Sequence, residues 1–260
     1  MVDINKIYNE DCLITMMRMP DNFVDLVVTS PPYDNLRKYD GFEFDFESIA
    51  QELFRVVKQG GVVVWVTNDA TINGCETGTS FKQSLYFKEI GFNLHDTMIF
   101  EKNTPPQTGN RYQPMFDYMF VFSKGKPNTF NPLMEPSITI GRKRTHAQRE
   151  KDGAFVDKPE RVTKPMKYRG NIWKYYTGYG EGDAIAQEHP ARFPEKLAED
   201  HIISWSTEND LVYDPFVGSG TTAKMAMLNK RNYIGSDISS KYCVISNKRI
   251  ELHNSKPQPL

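Results

Sequence analysis

Thr29-Ser30-Pro31-Pro32-Tyr33 brings a hydroxyl, a rigid carbonyl and an aromatic ring into one short stretch. That set suits a flat, polar heterocycle. The Ser30 hydroxyl and the Pro31 carbonyl can accept hydrogen bonds from an exocyclic amine, and Tyr33 offers a face to stack on. The apolar run Val24-Asp25-Leu26-Val27-Val28 before it reads as a buried strand. Pro31 and Pro32 lack backbone N–H groups and stop that strand, which leaves a stiff loop at its carboxyl end. Alone, Ser-Pro-Pro-Tyr is more often a strand entering a proline-rich turn than a site; a second motif changes the weighting.

Asp214 to Ala223 reads Asp-Pro-Phe-Val-Gly-Ser-Gly-Thr-Thr-Ala, and Asp237 stands at the end of the next expected strand. Glycines let a backbone approach a ligand, a helix N-terminus offers N–H groups, and the carboxylate suits ribose hydroxyls. A triphosphate site is disfavoured because no lysine follows Gly220. A dinucleotide dehydrogenase fits the loop but not its place in the chain, since only 37 residues follow Ala223. S-adenosylmethionine, with a ribose and no phosphate, fits the acidic surroundings of the glycines. Both loops follow strands, so a parallel sheet sets them on one rim. A nucleoside beside an amine-gripping loop is the arrangement that methyl transfer to an amine requires.

The elements that must position these loops alternate. Residues 7–8 form a short strand before Asp11 and Cys12, and 13–19 a helix stopped by Pro20. Residues 46–58 have helical periodicity and end at Gly60-Gly61; 62–66 read as a strand buried on both faces. Residues 67–80 read as a mobile loop, 81–90 as a helix, 94–100 and 118–122 as strands. Periodicity then fades through 124–185. It returns with a helix over 195–204 that carries Pro194 in its first turn, a strand at 211–213, a helix at 221–228, a strand at 232–235 and a closing helix at 240–253. Strand–helix alternation implies an α/β fold with helices on both faces of a parallel or mixed sheet.

The chain is long enough for one large domain with an insertion. It contains no long apolar run and no leader pattern, so a cytoplasmic, membrane-free protein is expected. Cys12, Cys75 and Cys243 lack metal-ligand spacing, so free thiols and no metal are expected. Net charge is −1, but residues 124–183 carry 13 Lys and Arg against 7 Asp and Glu. Arg142-Lys143-Arg144 is a compact basic cluster, and Lys167, Arg169 and Lys174 alternate with Tyr168, Trp173 and Tyr175. Cations among aromatics suit a nucleic acid, although a solvated insertion would look the same.

Taken together, the motifs resemble the beta-class, permuted amino-group DNA methyltransferases, the N4-cytosine/N6-adenine family. Residues 29–33 look like its catalytic motif, 214–220 like its Phe-x-Gly-x-Gly cofactor motif, and Gly235-Ser236-Asp237 like its acidic ribose motif. Residues 189–194 are similar to its His-Pro-x-x-x-Pro segment beside the methionine end of the cofactor, with Ala-Arg-Phe where many members have Thr-Gln-Lys. Asp11-Cys12 looks like the Asp-Cys beside the adenine.

The resemblance implies a Rossmann-like methyltransferase fold with a mostly parallel, seven-stranded sheet, helices on both faces, permuted motif order and an inserted target-recognition region. The halves would be 1–123 (catalytic) and 189–260 (cofactor), with 124–188 as the insertion. It implies catalysis by Ser30, Pro31, Pro32 and Tyr33. Cofactor contacts would come from Asp11, Cys12, Ser30, Arg192 and Pro194, from Asp214, Phe216, Gly218 and Ser219, and from Gly220, Thr221, Thr222 and Asp237. DNA would meet Arg142, Lys143, Arg144, Lys167, Arg169 and Lys174. Other partners that enter with the family are a second copy of the chain and a cognate restriction endonuclease. A flipped base would stack on Tyr33, with Phe116 or Tyr118 as a second ring. Serine at the first motif position is more typical of cytosine N4 methylation and aspartate of adenine N6. The alternatives are therefore adenine N6, an RNA amine, and a nucleic-acid-binding module without turnover.

Overall fold

The computed structural model describes residues 2–32, 44–103, 109–149, 153–176, 185 and 194–254, with backbone alone for 144–149, 155–159 and 254. The chain forms two compact units, Met1–Asn131 with Asn171–Leu260, and Pro132–Gly170.

In the larger unit, β1 (Lys6–Tyr8) leads to α1 (Cys12–Met17) and β2 (Val24–Thr29) to α2 (Phe46–Val56). β3 (Val57–Thr67) leads through β4 (Thr71–Ile72) and β5 (Cys75–Glu76) to α3 (Thr79–Glu89), followed by β6 (Asn93–Glu101) and β7 (Phe116–Ser123). The smaller unit holds β8 (Met134–Pro136), β9 (Lys143–Arg149), β10 (Phe155–Val162) and β11 (Met166–Tyr168). The chain then returns as β12 (Ile172–Lys174), α4 (Glu195–Trp205), β13 (Leu211–Asp214), α5 (Thr221–Leu228), β14 (Asn232–Ser236) and α6 (Ser240–Asn254).

The main sheet has eight strands in the order β1-β14-β13-β2-β3-β7-β6-β12. Only β7 runs against the others among them. Val62 to Val66 are fully buried, as a strand covered on both faces must be. Each such side chain contributes about 1.5–3 kcal/mol. Val63 and Trp65 join Met16, Leu53 and Phe87 of α1, α2 and α3 in one cluster. On the other side α5 packs against both α4 and α6, and Leu197, Ile202 and Ala226 are fully buried. The result is a Rossmann-like α/β fold with a mostly parallel sheet.

Three expectations are corrected. The helix begun at Phe46 ends at Val56, and Gly60-Gly61 lies inside β3. Gly60 has φ +79°, its N–H donates to Lys124 O and its carbonyl accepts from Asn128 N. The β2–β3 register slips there, from Val24↔Val57 to Leu26↔Val62, so the glycine makes an irregularity in a strand rather than a helix cap. Residues 71–76, expected as part of a mobile loop, form a hairpin turning at Asn73 and Gly74, both at positive φ. Arg111 holds it through Thr71 Oγ1 at 3.1 Å and Gly74 O at 2.7 Å. Finally, the segment without periodicity is rich in short strands; one of them, β12, pairs in parallel with β6 and becomes the eighth strand.

The smaller unit is a two-stranded ribbon. β8 pairs antiparallel with β11 and β9 with β10. Ser137 N to Pro165 O and Gly141 N to Thr163 O continue the ladder between the two pairings. Such a ribbon builds no helix-covered core, which is why apolar periodicity fails here: Ile138 is 93% exposed, and Ile140, Val162 and Tyr168 are exposed as well. Among the described residues no helix is long and apolar enough to cross a membrane, and no cluster of His, Cys, Asp or Glu could hold a metal.

Candidate active site

β1, β14, β13 and β2 are adjacent and parallel. Their carboxyl ends therefore deliver Asp11-Cys12, Asp237, the 214–220 loop and Ser30 to one rim, in that order. β13 and β2 are followed by α5 and α2 on opposite faces of the sheet, the kind of switch point where open α/β sheets bind ligands.

Thr29 closes β2 and is fully buried, with the half-buried Ser30 and buried Pro31 after it. Its Oγ1 donates to Asp214 Oδ1 at 2.7 Å, and Phe216 N donates to the same oxygen at 3.0 Å. Thr222 Oγ1 donates to Val28 O at 3.1 Å. The end of β2 and the glycine-rich loop are thus bonded together. Burial pushes the Asp214 carboxyl up to about 6, against the hydrogen bonds from Thr29, Phe216 and Thr222 that favour its charged form.

Gly218 and Gly220 have φ +49° and +82°, the left-handed region that glycine enters without penalty. Gly220 directly precedes α5. Across the rim, Asp237 Oδ2 accepts from Gly218 N at 2.9 Å and Oδ1 from Ser239 N at 2.8 Å. Burial raises its carboxyl above the usual range. Asp11 caps α1 through Leu13 N at 2.8 Å. Cys12 is buried, which pushes its thiol far up and makes it a poor nucleophile. A buried chain of hydroxyls, Tyr213 to Ser236 at 3.1 Å and Ser236 to Thr15 at 3.0 Å, reaches Glu10 beside that turn.

Pro194 is the N-cap residue of α4. Tyr33 and Arg192 lie outside the described residues, as does the rest of 189–193, and only the backbone of Arg144 is described. Arg142, Lys143, Lys167 and Arg169 belong to the smaller unit and Lys174 to the larger one. Lys143 pairs with Glu160 at 3.0 Å, Lys167 with Glu135 at 2.8 Å and Lys174 with Glu101 at 2.6 Å. At the rim end of β7, Tyr118 touches the rings of Phe116 and Phe81, with centroids 5.2 and 5.4 Å away. Asp69 binds Ser80 N and Oγ and so anchors the start of α3.

Sequence reasoning gave Thr29 no role of its own within its motif, and none to Glu195, Lys224 or Arg249. The last three meet behind the glycine-rich loop: Glu195 Oε1 accepts from Lys224 at 2.7 Å and from Arg249 at 2.6 Å. The sequence sets Arg249 next to Ile250 and four residues after Ile245 in the closing helix, which by itself carries no signal of burial.

This rim fits a nucleoside without phosphates. It presents carboxylates at Asp11 and Asp237, and the buried cations near the loop, Lys224 and Arg249, are held by Glu195. Comparison with known proteins identifies the family. The DNA methylase family model matches residues 24–248. The orphan methyltransferase M.BamHII of Bacillus amyloliquefaciens is 55% identical over 240 residues, covering 89% of this chain and 90% of its own. Among solved structures, the cytosine-N4-specific PvuII DNA methyltransferase superposes with TM-score 0.70 at 21% identity, over 94% of this chain and 85% of its own. The M1.HpyAVI complex with S-adenosylmethionine superposes with TM-score 0.60 at 22% identity, over 94% and 98%. The chain belongs to the amino-group DNA methylase family, whose cofactor is S-adenosylmethionine.

Proposed function

We propose that this protein methylates the N4 amine of cytosine in DNA, at a specific sequence, with Ser30 as the residue that orients the amine. The observation carrying this reading is serine at position 30, at the carboxyl end of β2, one residue from the Thr29–Asp214 bond that ties this strand to the glycine-rich loop.

When bound, S-adenosylmethionine supplies an electrophilic methyl group on a sulfonium. Gly218 to Thr222, Asp237 and the Asp11-Cys12 turn would hold it, with Asp237 toward the ribose hydroxyls. The Ser30 hydroxyl and the Pro31 carbonyl accept hydrogen bonds from the base's exocyclic amine. That turns the nitrogen lone pair out of conjugation with the ring and toward the methyl group. Tyr33 would stack on the extruded base, with Phe116 or Tyr118 as a second ring. Catalysis is then mostly positioning. A neutral serine is a weak base, so the surplus proton passes to water after transfer.

Residues 124–188 would read the target sequence. The two-stranded ribbon within them supports this, because a ribbon of that kind fits a B-DNA major groove. Its exposed apolar side chains suit contact with base edges, and Arg142 and Lys143 suit contact with phosphates. The test is transfer of labelled methyl from S-adenosylmethionine to genomic DNA and, separately, to total RNA. Label in DNA alone supports the reading, and label in RNA alone refutes it. Ser30→Ala should bind both DNA and cofactor yet transfer slowly.

A further inference from the structure

Arg249 is fully buried on α6, outside every motif read from the sequence. Its Nη1 donates to the Ser219 carbonyl, and to Ser219 Oγ and Thr221 Oγ1, each at 3.2 Å. Its Nη2 donates to Glu195 Oε1 at 2.6 Å. One turn earlier on α6, Ser246 Oγ donates to Gly218 O at 2.7 Å. Two successive carbonyls of the glycine-rich loop are therefore gripped from behind by one helix.

The fit is close. A Cβ at Gly220 would stand 2.9 Å from Ser246 Cβ and 3.0 Å from its Cα. Glu195 is the first residue of α4 and directly follows Pro194. It also receives Lys224, which is 3% exposed and lies in α5 just beyond the loop. The Arg249–Glu195–Lys224 cluster thus joins the loop, the start of α5 and the start of α4.

Burying ions in this way is an inefficient route to stability, since well-packed apolar groups of similar volume often do as well or better. What the cluster provides is geometry. A guanidinium carries several donors in a fixed fork, and here the fork reaches a carbonyl, two hydroxyls and a carboxylate at once.

We propose that Arg249 is a positioning residue for the cofactor. With Glu195 it holds the Gly218–Thr221 loop and the start of α4 at a fixed separation, so that cofactor affinity depends on a side chain that does not touch the cofactor. The inference rests on the loop being the S-adenosylmethionine site.

The test uses the full chain with Arg249→Lys, Arg249→Met and Glu195→Gln. Calorimetry measures S-adenosylmethionine affinity, steady-state kinetics on DNA separates KM from kcat, and melting without cofactor monitors folding. For Arg249→Lys the expected result is cofactor Kd and KM raised at least tenfold, kcat within threefold of wild type, and DNA affinity unchanged. Arg249→Met should lose at least as much and Glu195→Gln less. If Arg249→Met does not fold, Arg249→Lys decides, because it keeps the charge and loses the fork. Variants that melt earlier yet bind the cofactor as wild type does would overturn the proposal and leave Arg249 a stabilising residue only. Wild-type protein that transfers methyl groups while Asp237 and loop variants leave cofactor affinity intact would instead remove the site assignment beneath it.

Discussion

Thr29 Oγ1 donates to Asp214 Oδ1 at 2.7 Å, between adjacent strands and across 185 residues of sequence. This bond joins the last residue before the Ser-Pro-Pro loop to the first residue of the glycine-rich loop. Thr29→Val keeps the shape and removes the donor. The buried carboxylate then loses one partner, and the fold should lose about 1–3 kcal/mol. Urea denaturation of wild type and variant at pH 7.5 measures the difference; equal midpoints would mean that the bond holds nothing.

Asp214 also predicts a pH dependence. Its folded carboxyl is raised by burial to about 6 from an ordinary 3.8. A raised carboxyl binds its proton more tightly in the folded state than in the unfolded one. The contribution is therefore fully present below about pH 4 and lost as pH rises through about 6. Asp214→Asn removes that titration while keeping an acceptor for Thr29 and Phe216. Wild type should accordingly lose stability relative to Asp214→Asn between pH 4 and 7, on the order of 2–3 kcal/mol. A constant difference across that range would contradict the burial of a titrating group here.

Asp237 binds Gly218 N and Ser239 N through its two carboxylate oxygens. Asp237→Ala removes the acceptor of both N–H groups and the proposed ribose contact. Its cofactor affinity should fall at least tenfold, about 1.4 kcal/mol, while DNA affinity stays. Unchanged affinity in calorimetry would end the ribose assignment.

In the smaller unit, Arg142→Ala should weaken DNA binding evenly across sequences and lower the salt slope by about 1. Lys167→Ala should cost less, because its ammonium must first leave Glu135. Affinity titrations at several salt concentrations separate the two cases. A larger loss at Lys167 than at Arg142 would reverse the ranking.

Most of the sheet was legible because apolar runs such as Val62 to Val66 have only one stable use in a parallel sheet. The two loops were legible because proline and glycine act through backbone geometry that needs no partner. Other features depended on contacts between distant residues. Gly60-Gly61 looked like a helix stop, and its role in β3 appears only with the backbones of Lys124 and Asn128 beside it. The ribbon of the smaller unit leaves Ile138 and Tyr168 exposed, so hydrophobic period carried no signal there. Arg249 resembles any charged residue of a surface helix until Ser219 and Glu195 are placed around it.

The identity of the methylated base tests the account most directly. Purified protein with S-adenosylmethionine should methylate DNA of varied sequence, and mass spectrometry of the digested nucleosides reads the product. Ser30 predicts N4-methylcytosine. N6-methyladenine in its place would contradict that prediction.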